Sequence, residues 1–477
     1  VDQVRVDLEI DRSRTVGDVE GVVGTGVRSE AEKAIDGVRG VAISEITPEY
    51  ALALGRAVGS VLGSPRLVIA RDPRVSGPIL EAAFSAGAAS VGVRVEQLGV
   101  LPTPAVALIA QLENVPGVMI TASHNKFSDN GVKVFAAGGR KLTDAEQELI
   151  ESEVHKVLRG ATPNPSGVGI IVRRSDAVTV YVDHLVELFG EGSLAGLRVV
   201  IDSANGAMSH VAPLVLQRLG ADVSSMSDAP NGRNINDACG ATSPQTLCEF
   251  VSGTGTGVSV DIGFAFDGDG DRLIAVDENG RVVDGDRLIA LSAIDRRDLN
   301  TLANNTVVVT VMSNLGFHQA MKQQGINVVT SSVGDRYVLD AMELGGFVIG
   351  GEQSGHIIHR DLATTGDGLL SAIVLAQLVR GRQENDGSKF SQLASSVMHT
   401  FPQVLKNVKV AVRPHDVAQL LATEIAAEEA VLGENGRVLV RASGTEPLIR
   451  VMVEAPTAHM ADEVADRLVA VAVNKCV

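Results

Sequence analysis

Three aspartates stand at alternate positions in the stretch GFAFDGDGDRLIAVDENG, and their spacing is typical of a metal site. Asp267, Asp269 and Asp271 are separated by single glycines. Glycine lets the backbone curl, so carboxylates two residues apart can converge on one cation. Three uncompensated carboxylates at such short range would repel one another, and a divalent metal removes that repulsion. The stretch therefore predicts a metal site, with a solvated acidic turn as an alternative.

A calcium-binding EF-hand loop is another interpretation of the same stretch, because Glu278 falls at the twelfth position of such a loop. An EF-hand needs glycine at its sixth position, where this chain has Arg272. The flanking runs GFAF and RLIAV also have the pattern of strands rather than helices. These features disfavour the EF-hand and favour a hard metal with room for a phosphate oxygen.

A serine beside a histidine follows the apolar run GVMI, which has the pattern of a strand. Ser123 and His124 end that run, and Lys133 lies in the next strand-like run, GVKVF. A serine presented by a strand end could carry a phosphoryl group whose charge the metal would share. A serine hydrolase is a weaker alternative, because a nucleophile elbow needs small residues where Thr121 and Asn125 stand. An ordinary polar loop is the third interpretation.

Two further loops carry polar side chains suited to a phosphosugar. The run GGEQSGHII places Glu352, Ser354 and His356 at alternate positions, where they could grip sugar hydroxyls or an amine. An ordinary polar turn is an equally good interpretation of that run alone. Basic and hydroxyl side chains around a permissive glycine in VRASGTEPLIRV could cradle a phosphate; they are Arg441, Ser443, Gly444, Thr445 and Arg450.

The segments that must position these residues have the pattern of α/β units. Three Val/Ile-rich strands, starting near Arg66, Leu197 and Thr306, each end in small polar residues before a helix-compatible stretch. We therefore expect three similar α/β domains. The C-terminal part has a β-α-β-β-α order, with one helix over HDVAQLLATEIAAEEAVLG, which indicates a small α+β domain.

The composition limits the classes of function. The chain has 477 residues, 3% aromatic residues and a net charge of −17, which argues against nucleic-acid binding. Its three cysteines form neither a disulfide framework nor a zinc pattern. No apolar stretch reaches the ~18 residues that a membrane-spanning helix needs, and no signal peptide is evident. We expect a cytoplasmic protein without a membrane or nucleic-acid partner.

The four loops occur in an order that resembles the α-D-phosphohexomutase superfamily. TASHN resembles its phosphoserine loop, DGDGDR its metal loop, GEQSGH its sugar-specificity loop and RASGTEPLIR its phosphate loop. Four further segments resemble the glucosamine branch of the family, namely SDNGVKVF, PNGRNINDACGAT, VGDRYV and TTGDGLL. Within GEQSGH, Gln353 and the lack of an aromatic residue after His356 also resemble that branch.

The resemblance implies four domains around a central cleft, the first three α/β with mixed sheets and the last α+β. The expected boundaries are 1–178 for the phosphoserine domain, with 1–33 as an atypical extension, 179–281 for the metal domain, 282–398 for the sugar domain and 399–477 for the phosphate domain. It implies interconversion of glucosamine 6-phosphate and glucosamine 1-phosphate through a phosphoserine and glucosamine 1,6-bisphosphate, in the route to UDP-N-acetylglucosamine. The small-molecule partner is thus an amino-sugar phosphate, and the chain is expected to be a monomer or homodimer.

Roles follow from the resemblance residue by residue. It implies Ser123 as the phosphoryl carrier, which would bind Mg²⁺ together with Asp267, Asp269 and Asp271. Arg272 would lie beside that phosphate, and His124 and Lys133 would assist proton transfer. The sugar would contact Glu352, Ser354 and His356. The non-reacting phosphate would be held by Arg441, Ser443, Gly444, Thr445 and Arg450.

One segment departs from the family pattern. The family has an FGTDGIRG-like loop near its start, whose arginine faces the phosphoserine, whereas this chain has KAIDGVRG after some thirty unmatched residues. Arg39 is preferred over Arg28 as the matching arginine, in a tight turn. A phosphoglucomutase/phosphomannomutase and a catalytically silent sugar-phosphate binding protein remain the alternatives.

Overall fold

A computed structural model describes residues 37–162, 167–253, 259–410, 416–442 and 448–476. The predictions made for residues 1–33, for Arg28, and for Ser443, Gly444 and Thr445 lie outside the described residues. Within them the strands form four successive sheets, of six, five, four and three strands. The first three sheets are mixed and the last is antiparallel, which confirms the predicted fold class.

The first sheet has the strand order β1-β5-β4-β2-β3-β6. Its strands are β1 (Val38–Val41), β2 (Arg66–Arg71), β3 (Arg94–Val100), β4 (Gly117–Ile120), β5 (Asp129–Phe135) and β6 (Ile171–Arg173). Its helices are α1 (Pro48–Leu62), α2 (Gly77–Ala89), α3 (Thr103–Glu113) and α4 (Asp144–Leu158). The GVMI run is the fully buried strand β4, and β5 pairs antiparallel with it, so Met119 faces Lys133 in the register.

The second sheet has the order β11-β10-β9-β7-β8. Its strands are β7 (Arg198–Asp202), β8 (Asp222–Met226), β9 (Ile262–Phe266), β10 (Leu273–Asp277) and β11 (Val282–Val283). Its helices are α5 (Ala177–Phe189), α6 (Met208–Arg218) and α7 (Gln245–Val251). Because β11 pairs with β10, this sheet extends two residues beyond position 281.

The third sheet has the order β13-β12-β14-β15. Its strands are β12 (Thr306–Thr310), β13 (Asn327–Ser331), β14 (Ile349–Gly351) and β15 (Ile357–His359). Its helices are α8 (Gly285–Asp298), α9 (Leu315–Gln323), α10 (Asp335–Gly345), α11 (Gly368–Asp386) and α12 (Phe390–Ser396), with a short 3₁₀ turn at Ala303–Asn305.

The C-terminal sheet has the order β16-β18-β17, from β16 (Gln403–Lys409), β17 (Arg437–Ala442) and β18 (Leu448–Glu454). Its helices are α13 (Val417–Leu420), α14 (Ala422–Leu432) and α15 (Ala458–Cys476), with a 3₁₀ turn at Gly433–Asn435. The single helix predicted over HDVAQLLATEIAAEEAVLG is wrong, because the helix breaks at Leu421 (φ −106°, ψ 13°). Leu421 is fully buried, and packing into the small core outweighs the continuous helical pattern.

The apolar cores explain how distant loops meet. One continuous cluster of buried side chains runs from Met119 beside the first sheet, through Phe264 in the second, to Leu370 beside the third. The C-terminal sheet has a separate cluster that includes Val440 and Leu468. Each sheet with its helices is called a unit below. The strand ends of the first three units are therefore fixed relative to one another by shared packing.

Candidate active site

The three aspartates lie in the tight connection between the antiparallel strands β9 and β10, as the sequence predicts. Their carboxylate oxygens come within 4.8 Å of one another, and all three residues are buried. The glycines between them allow this. Gly270 has a φ of 73°, and a side chain on Gly268 would meet the carbonyl oxygen of Ser123 at 2.5 Å. The flanking elements are strands, which agrees with the rejection of an EF-hand.

A lysine from the first sheet compensates part of this charge. The Lys133 ammonium donates to Oδ2 of Asp269 at 3.0 Å and to Oδ2 of Asp271 at 2.7 Å. Thr103, which the sequence analysis did not single out, donates its hydroxyl to the same Asp269 oxygen at 2.5 Å. Lys133 thus acts here as a counter-charge that reaches across from β5 to the carboxylates.

The remaining charge fits a divalent cation. Oδ1 of Asp269 and Oδ1 of Asp271 are buried without a hydrogen-bond partner among the described residues. Burial, together with the charges of Asp271 and Asp269, raises the pKa of Asp267 to about 8. A buried group of three carboxylates with free oxygens is the donor set that a hard cation prefers. The residues present therefore fit the metal that the sequence predicts.

Ser123 lies directly against this cluster. Its hydroxyl donates to Oδ2 of Asp267 at 2.6 Å and lies 3.4 Å from Nδ1 of His124. The residue is 1% exposed and has a φ of 53°, a left-handed conformation that is uncommon for a residue other than glycine. The structure thus joins the serine that follows β4 to the aspartates that follow β9, 144 residues away.

The neighbouring histidine is held neutral. Burial and the positive charges of Arg272 and Arg39 lower the pKa of His124 to about 4. Arg39 is therefore close enough to act on this ring. The prediction that Arg39 lies in a tight turn is wrong, because Arg39 is in strand β1, opposite Gly131 of β5. Antiparallel pairing with β5 holds the backbone at Arg39 in an extended conformation, where the local sequence predicts a turn.

Arg272 lies at the end of the aspartate loop. Its backbone N–H donates to Oδ1 of Asp267 at 3.2 Å, and its Nε is 3.9 Å from Oδ1 of Asp271. Burial disfavours its charged form, but the carboxylates of Asp267, Asp271 and Glu352 outweigh burial and raise the pKa of Arg272. The third unit therefore contributes a carboxylate, from Glu352, that faces this guanidinium.

His356 brings the third sheet to the same cluster. Its Nδ1 lies 3.8 Å from Oδ1 of Asp271, and its Nε2 lies 3.4 Å from Oδ2 of Asp335. Burial lowers the pKa of His356, but these two carboxylates outweigh burial and raise it. Asp335 also pairs with Lys141 of the first unit. The sequence analysis did not predict Asp335 or Lys141 as site residues. Asp335 does lie in VGDRYV, a segment that resembles the glucosamine branch.

The other predicted sugar ligands lie in the connection between β14 and β15. Oε1 of Glu352 accepts from the backbone N–H of Gly334 at 3.0 Å, and Ser354 Oγ lies 3.5 Å from Oε2 of Glu352. Glu352 thus receives the N–H just before α10, while Ser354 is exposed. Their contact with a sugar stays a prediction.

Arg441 and Arg450 face each other in the register of β17 and β18. Burial and the charge of Arg450 lower the pKa of Arg441. Two like charges side by side on a sheet favour an anion as their common partner. Their predicted role in holding a phosphate is consistent with this arrangement and stays a prediction, as do the roles of all the site residues.

Comparison with known proteins identifies the family. Sequence models of the phosphoglucomutase/phosphomannomutase family match the chain four times. These are α/β/α domain I over residues 32–159, domain II over 179–280, domain III over 284–401 and the C-terminal domain over 405–471. The chain therefore belongs to this family of phosphohexose mutases, which confirms the resemblance to the α-D-phosphohexomutases and makes it an enzyme of the isomerase class.

Full-length relatives carry a more specific name. The chain is 47% identical over 442 residues to a phosphoglucosamine mutase from Rhodococcus erythropolis, covering 91% of this chain and 97% of the relative. It is 49% identical over 446 residues to a phosphoglucosamine mutase from Desulforudis audaxviator, covering 91% and 96%.

Solved structures share the fold. A phosphoglucomutase/phosphomannomutase family protein from Burkholderia thailandensis matches with a TM-score of 0.76 and 23% identity, over 92% of this chain and 96% of that one. An N-acetylphosphoglucosamine mutase from Aspergillus fumigatus, in complex with GlcNAc-6P and magnesium, matches with a TM-score of 0.64 and 19% identity, over 93% and 95%. In the described part of the chain, no helix combines the length and apolar character that crossing a bilayer requires.

Proposed function

We propose that this chain interconverts glucosamine 6-phosphate and glucosamine 1-phosphate by way of a phosphoserine at Ser123. The observation that carries the proposal is the position of the Ser123 hydroxyl, 2.6 Å from Asp267 in a buried group of three aspartates. The substrate class is supported by the phosphoglucosamine mutase relatives, which are 46–49% identical over 91% of the chain.

The proposed reaction transfers one phosphoryl group out and another back. Phosphoserine gives its phosphoryl group to the free hydroxyl of the sugar phosphate, which breaks the Oγ–P bond and forms glucosamine 1,6-bisphosphate. The proton of that hydroxyl leaves to a nearby base. The bisphosphate turns over, its other phosphoryl group returns to Ser123, and a proton restores the product hydroxyl. Atoms and charges balance over the cycle, and no co-substrate is consumed.

The chain's own residues would stabilise the transferred charge. Asp267, Asp269 and Asp271, with the phosphoserine, would hold Mg²⁺. When bound, the ion neutralises charge on the transferring phosphoryl oxygens. Arg272 and Arg39 would face the phosphate on Ser123; the action of both charges on the neighbouring His124 supports this role.

Proton transfer would fall to His124 more readily than to Lys133. The pKa of about 4 leaves the His124 ring neutral near pH 7, and the ring lies 3.4 Å from the Ser123 hydroxyl, so His124 would act as a weak base that holds the proton only transiently. Lys133 instead donates to two carboxylates, which keeps its ammonium in place as a counter-charge. We propose that Lys133 fixes the orientation of Asp269 and Asp271.

The remaining predicted residues would bind the substrate. Glu352 and Ser354 would contact sugar hydroxyls, with His356 beside them. Arg441 and Arg450, with Ser443, Gly444 and Thr445, would hold the phosphate that is not being transferred. The division into units ending near positions 178, 281 and 398 is part of the same proposal, with one role assigned to each unit.

Two measurements test the proposal. The first is kcat/KM for glucosamine 6-phosphate against glucose 6-phosphate, each with catalytic bisphosphate and Mg²⁺. A preference for glucosamine is expected, and a preference for glucose would favour a phosphoglucomutase/phosphomannomutase, whose family name the domain matches carry. The second is mass spectrometry of the purified protein. A phosphate on Ser123 is expected, whereas a silent binding protein would carry none and show no turnover.

A further inference from the structure

The backbone of the loop that carries Ser123 needs support from outside itself. Ser123 has a φ of 53°, a region in which a residue other than glycine is strained. At a functional site, such a conformation is held in place by the groups that surround it. The serine loop runs from Thr121 to Ser128 and joins β4 to β5, which begins at Asp129.

Arg74 is the first of these groups. It is a fully buried arginine, with 0% exposure, in the connection between β2 and α2. Its guanidinium donates to the carbonyl oxygens of Ser123 and Asn125, both at 2.9 Å, and of Asp129 at 3.1 Å, and it also donates to that of Lys126. One side chain thus binds three carbonyls of the serine loop and that of the first residue of β5.

Asp72 completes the support within the first unit. Its Oδ2 accepts from Nε of Arg74 at 2.8 Å and from the hydroxyl of Thr121 at 2.7 Å. The Thr121 oxygen in turn accepts from the backbone N–H of Ser123 at 2.8 Å. The carboxylate therefore fixes both the arginine and the start of the loop, and it neutralises a charge that could not be buried alone.

Asn236 approaches the same carbonyls from the second unit. Its Nδ2 donates to the carbonyl oxygens of Ser123 and Asn125, both at 2.9 Å, across 113 and 111 residues of sequence. Its Oδ1 is buried without a hydrogen-bond partner among the described residues. Asn236 has a φ of 56°, a conformation that asparagine tolerates well. Among the described residues, the side chain of Asn236 therefore hydrogen-bonds to the serine loop alone.

We propose that Arg74 of the first unit and Asn236 of the second unit are positioning residues that form a clamp on the serine loop. The clamp, defined as these two side chains and the carbonyls of Ser123 and Asn125, holds Oγ of Ser123 on the aspartate cluster. Because the aspartates belong to the second unit, Asn236 also ties the serine to the same unit as its metal ligands. The catalytic part of this inference rests on the proposed function; the structural part does not.

The structural part is tested by hydrogen–deuterium exchange on the full chain. Asn236→Gly keeps the backbone freedom and removes only the side chain. Asn300→Gly is a matched control, since Asn300 has a φ of 59° and is exposed far from the loop in sequence. We expect amides of residues 121–129 to exchange about tenfold faster in Asn236→Gly, with strand β2 and the control unchanged. Unchanged exchange of 121–129 would overturn the clamp.

The catalytic part is tested by splitting kcat from KM. Because the clamp sets the position of Oγ and not the grip on the sugar, Asn236→Gly should lower kcat about 10- to 100-fold with KM within about threefold. A kcat within about twofold of wild type, despite faster loop exchange, would overturn the positioning role. If the wild-type chain turns over no hexose phosphate, the proposed function fails, and the exchange experiment still decides the clamp.

Arg74→Lys provides an independent variant. Lysine keeps the charge beside Asp72 but lacks the planar fork that reaches four carbonyls. In Arg74→Lys we expect the amides of residues 121–129 to exchange faster, and kcat to be lower, than in Asn236→Gly. In the double variant, kcat should fall by less than the product of the two single-variant factors. Independent, multiplicative effects would show that the two side chains do not act on one loop. If Arg74→Lys does not fold, Asn236→Gly decides alone.

Discussion

The aspartate cluster and the C-terminal arginine pair hold charge in two different ways. Around the aspartates, Ser123 and Lys133 of the first unit make buried hydrogen bonds to the second unit, and His356 of the third unit lies 3.8 Å from Asp271. These three units share one apolar core. Arg441 and Arg450 are half-buried on a sheet that has a core of its own. The positions of the reacting groups are thus set by common packing, whereas the arginine pair depends on a junction between separately packed bodies.

That junction is built from buried acids. Glu454 accepts from Arg437 at 3.1 Å within the C-terminal sheet, and from the backbone N–H of Leu315 in the third unit at 2.9 Å. Within the third unit, the Asn314 backbone N–H donates to Oδ2 of Asp286 at 2.8 Å, and the Asn314 side chain donates across the junction to Oε1 of Glu454 at 3.3 Å. Arg437 and Glu454 lie on the same two strands as the arginine pair. The orientation of the arginine pair is therefore set by polar contacts rather than by a continuous apolar core.

The largest effect is expected from Ser123→Ala. Because the proposed relay has no other carrier, activity should fall by at least about 1,000-fold, roughly 4 kcal/mol of barrier, with the melting temperature nearly unchanged. Ser128→Ala, an exposed serine in the same loop, serves as the matched control. Steady-state assays and melting curves measure both. A rate for Ser123→Ala within tenfold of wild type would refute the phosphoserine mechanism.

Asp269→Asn should produce the next largest loss. The substitution removes one anionic ligand and weakens the contact to Lys133, so kcat/KM should fall about 100-fold. Excess Mg²⁺ should restore activity only in part, because the amide oxygen remains a poorer ligand. Titrating Mg²⁺ in the assay measures this. Asp222→Asn, an exposed position on β8, should titrate like wild type, and equal Mg²⁺ dependence in both variants would argue against the metal site.

The junction should respond to pH through Asp286. Burial raises the pKa of this carboxyl to about 7, so between its ordinary pKa and pH 7 the folded state binds more protons than the unfolded state. Its contribution to stability is therefore present at low pH and is lost as the pH rises towards 7. Asp286→Asn removes this dependence and keeps an oxygen for Asn314.

Urea unfolding at pH 5 and pH 8 measures the effect. The free energy of unfolding of Asp286→Asn minus that of wild type should be about 2 kcal/mol larger at pH 8 than at pH 5. Taking the difference between the two proteins cancels the titration of other buried acids. A difference that does not change with pH would mean that Asp286 is not protonated in the folded state.

Glu454→Gln should affect the C-terminal arginine pair, and hence KM, without affecting the aspartate cluster, and hence kcat. The amide presents N–H groups where the carboxylate accepts from Arg437 and Leu315, so the junction loosens while the aspartate cluster is untouched. We expect KM for the sugar phosphate to rise about tenfold with kcat within about threefold. Glu463→Gln on the exposed face of α15 is the control. A fall in kcat at constant KM would contradict the division between the regions.

The smallest effect should come from Ile43→Asn, outside both regions. Ile43 is a β-branched residue with a φ of 71° and 45% exposure, so asparagine should relieve strain at little cost in burial. We expect about 1 kcal/mol of stabilisation in chemical denaturation and no change in kcat. Ile79→Asn makes the same change at an exposed position inside helix α2. Equal effects at both positions would exclude backbone strain as the cause.

Much of the fold could be predicted because the signals are local. The runs that became β2, β4, β7 and β12 are short, nearly continuous and apolar, and the order of the C-terminal elements follows from segment lengths and turns. The break at Leu421 and the extension of Arg39 into strand β1 could not be predicted in this way. Both depend on what the segment packs against, which overrides local preference.

The candidate site also has features that local sequence signals predict and features that depend on packing. The sequence by itself determined the aspartate loop, because three carboxylates separated by glycines lie within five consecutive residues, and it determined the serine, because a strand visibly ends there. The tertiary structure alone decided that Arg74 and Asn236 bind the serine loop and that Thr103 reaches the aspartate cluster. Those contacts join residues up to 166 positions apart. Which distant side chains meet is fixed by the packing of whole units, and no local pattern encodes it.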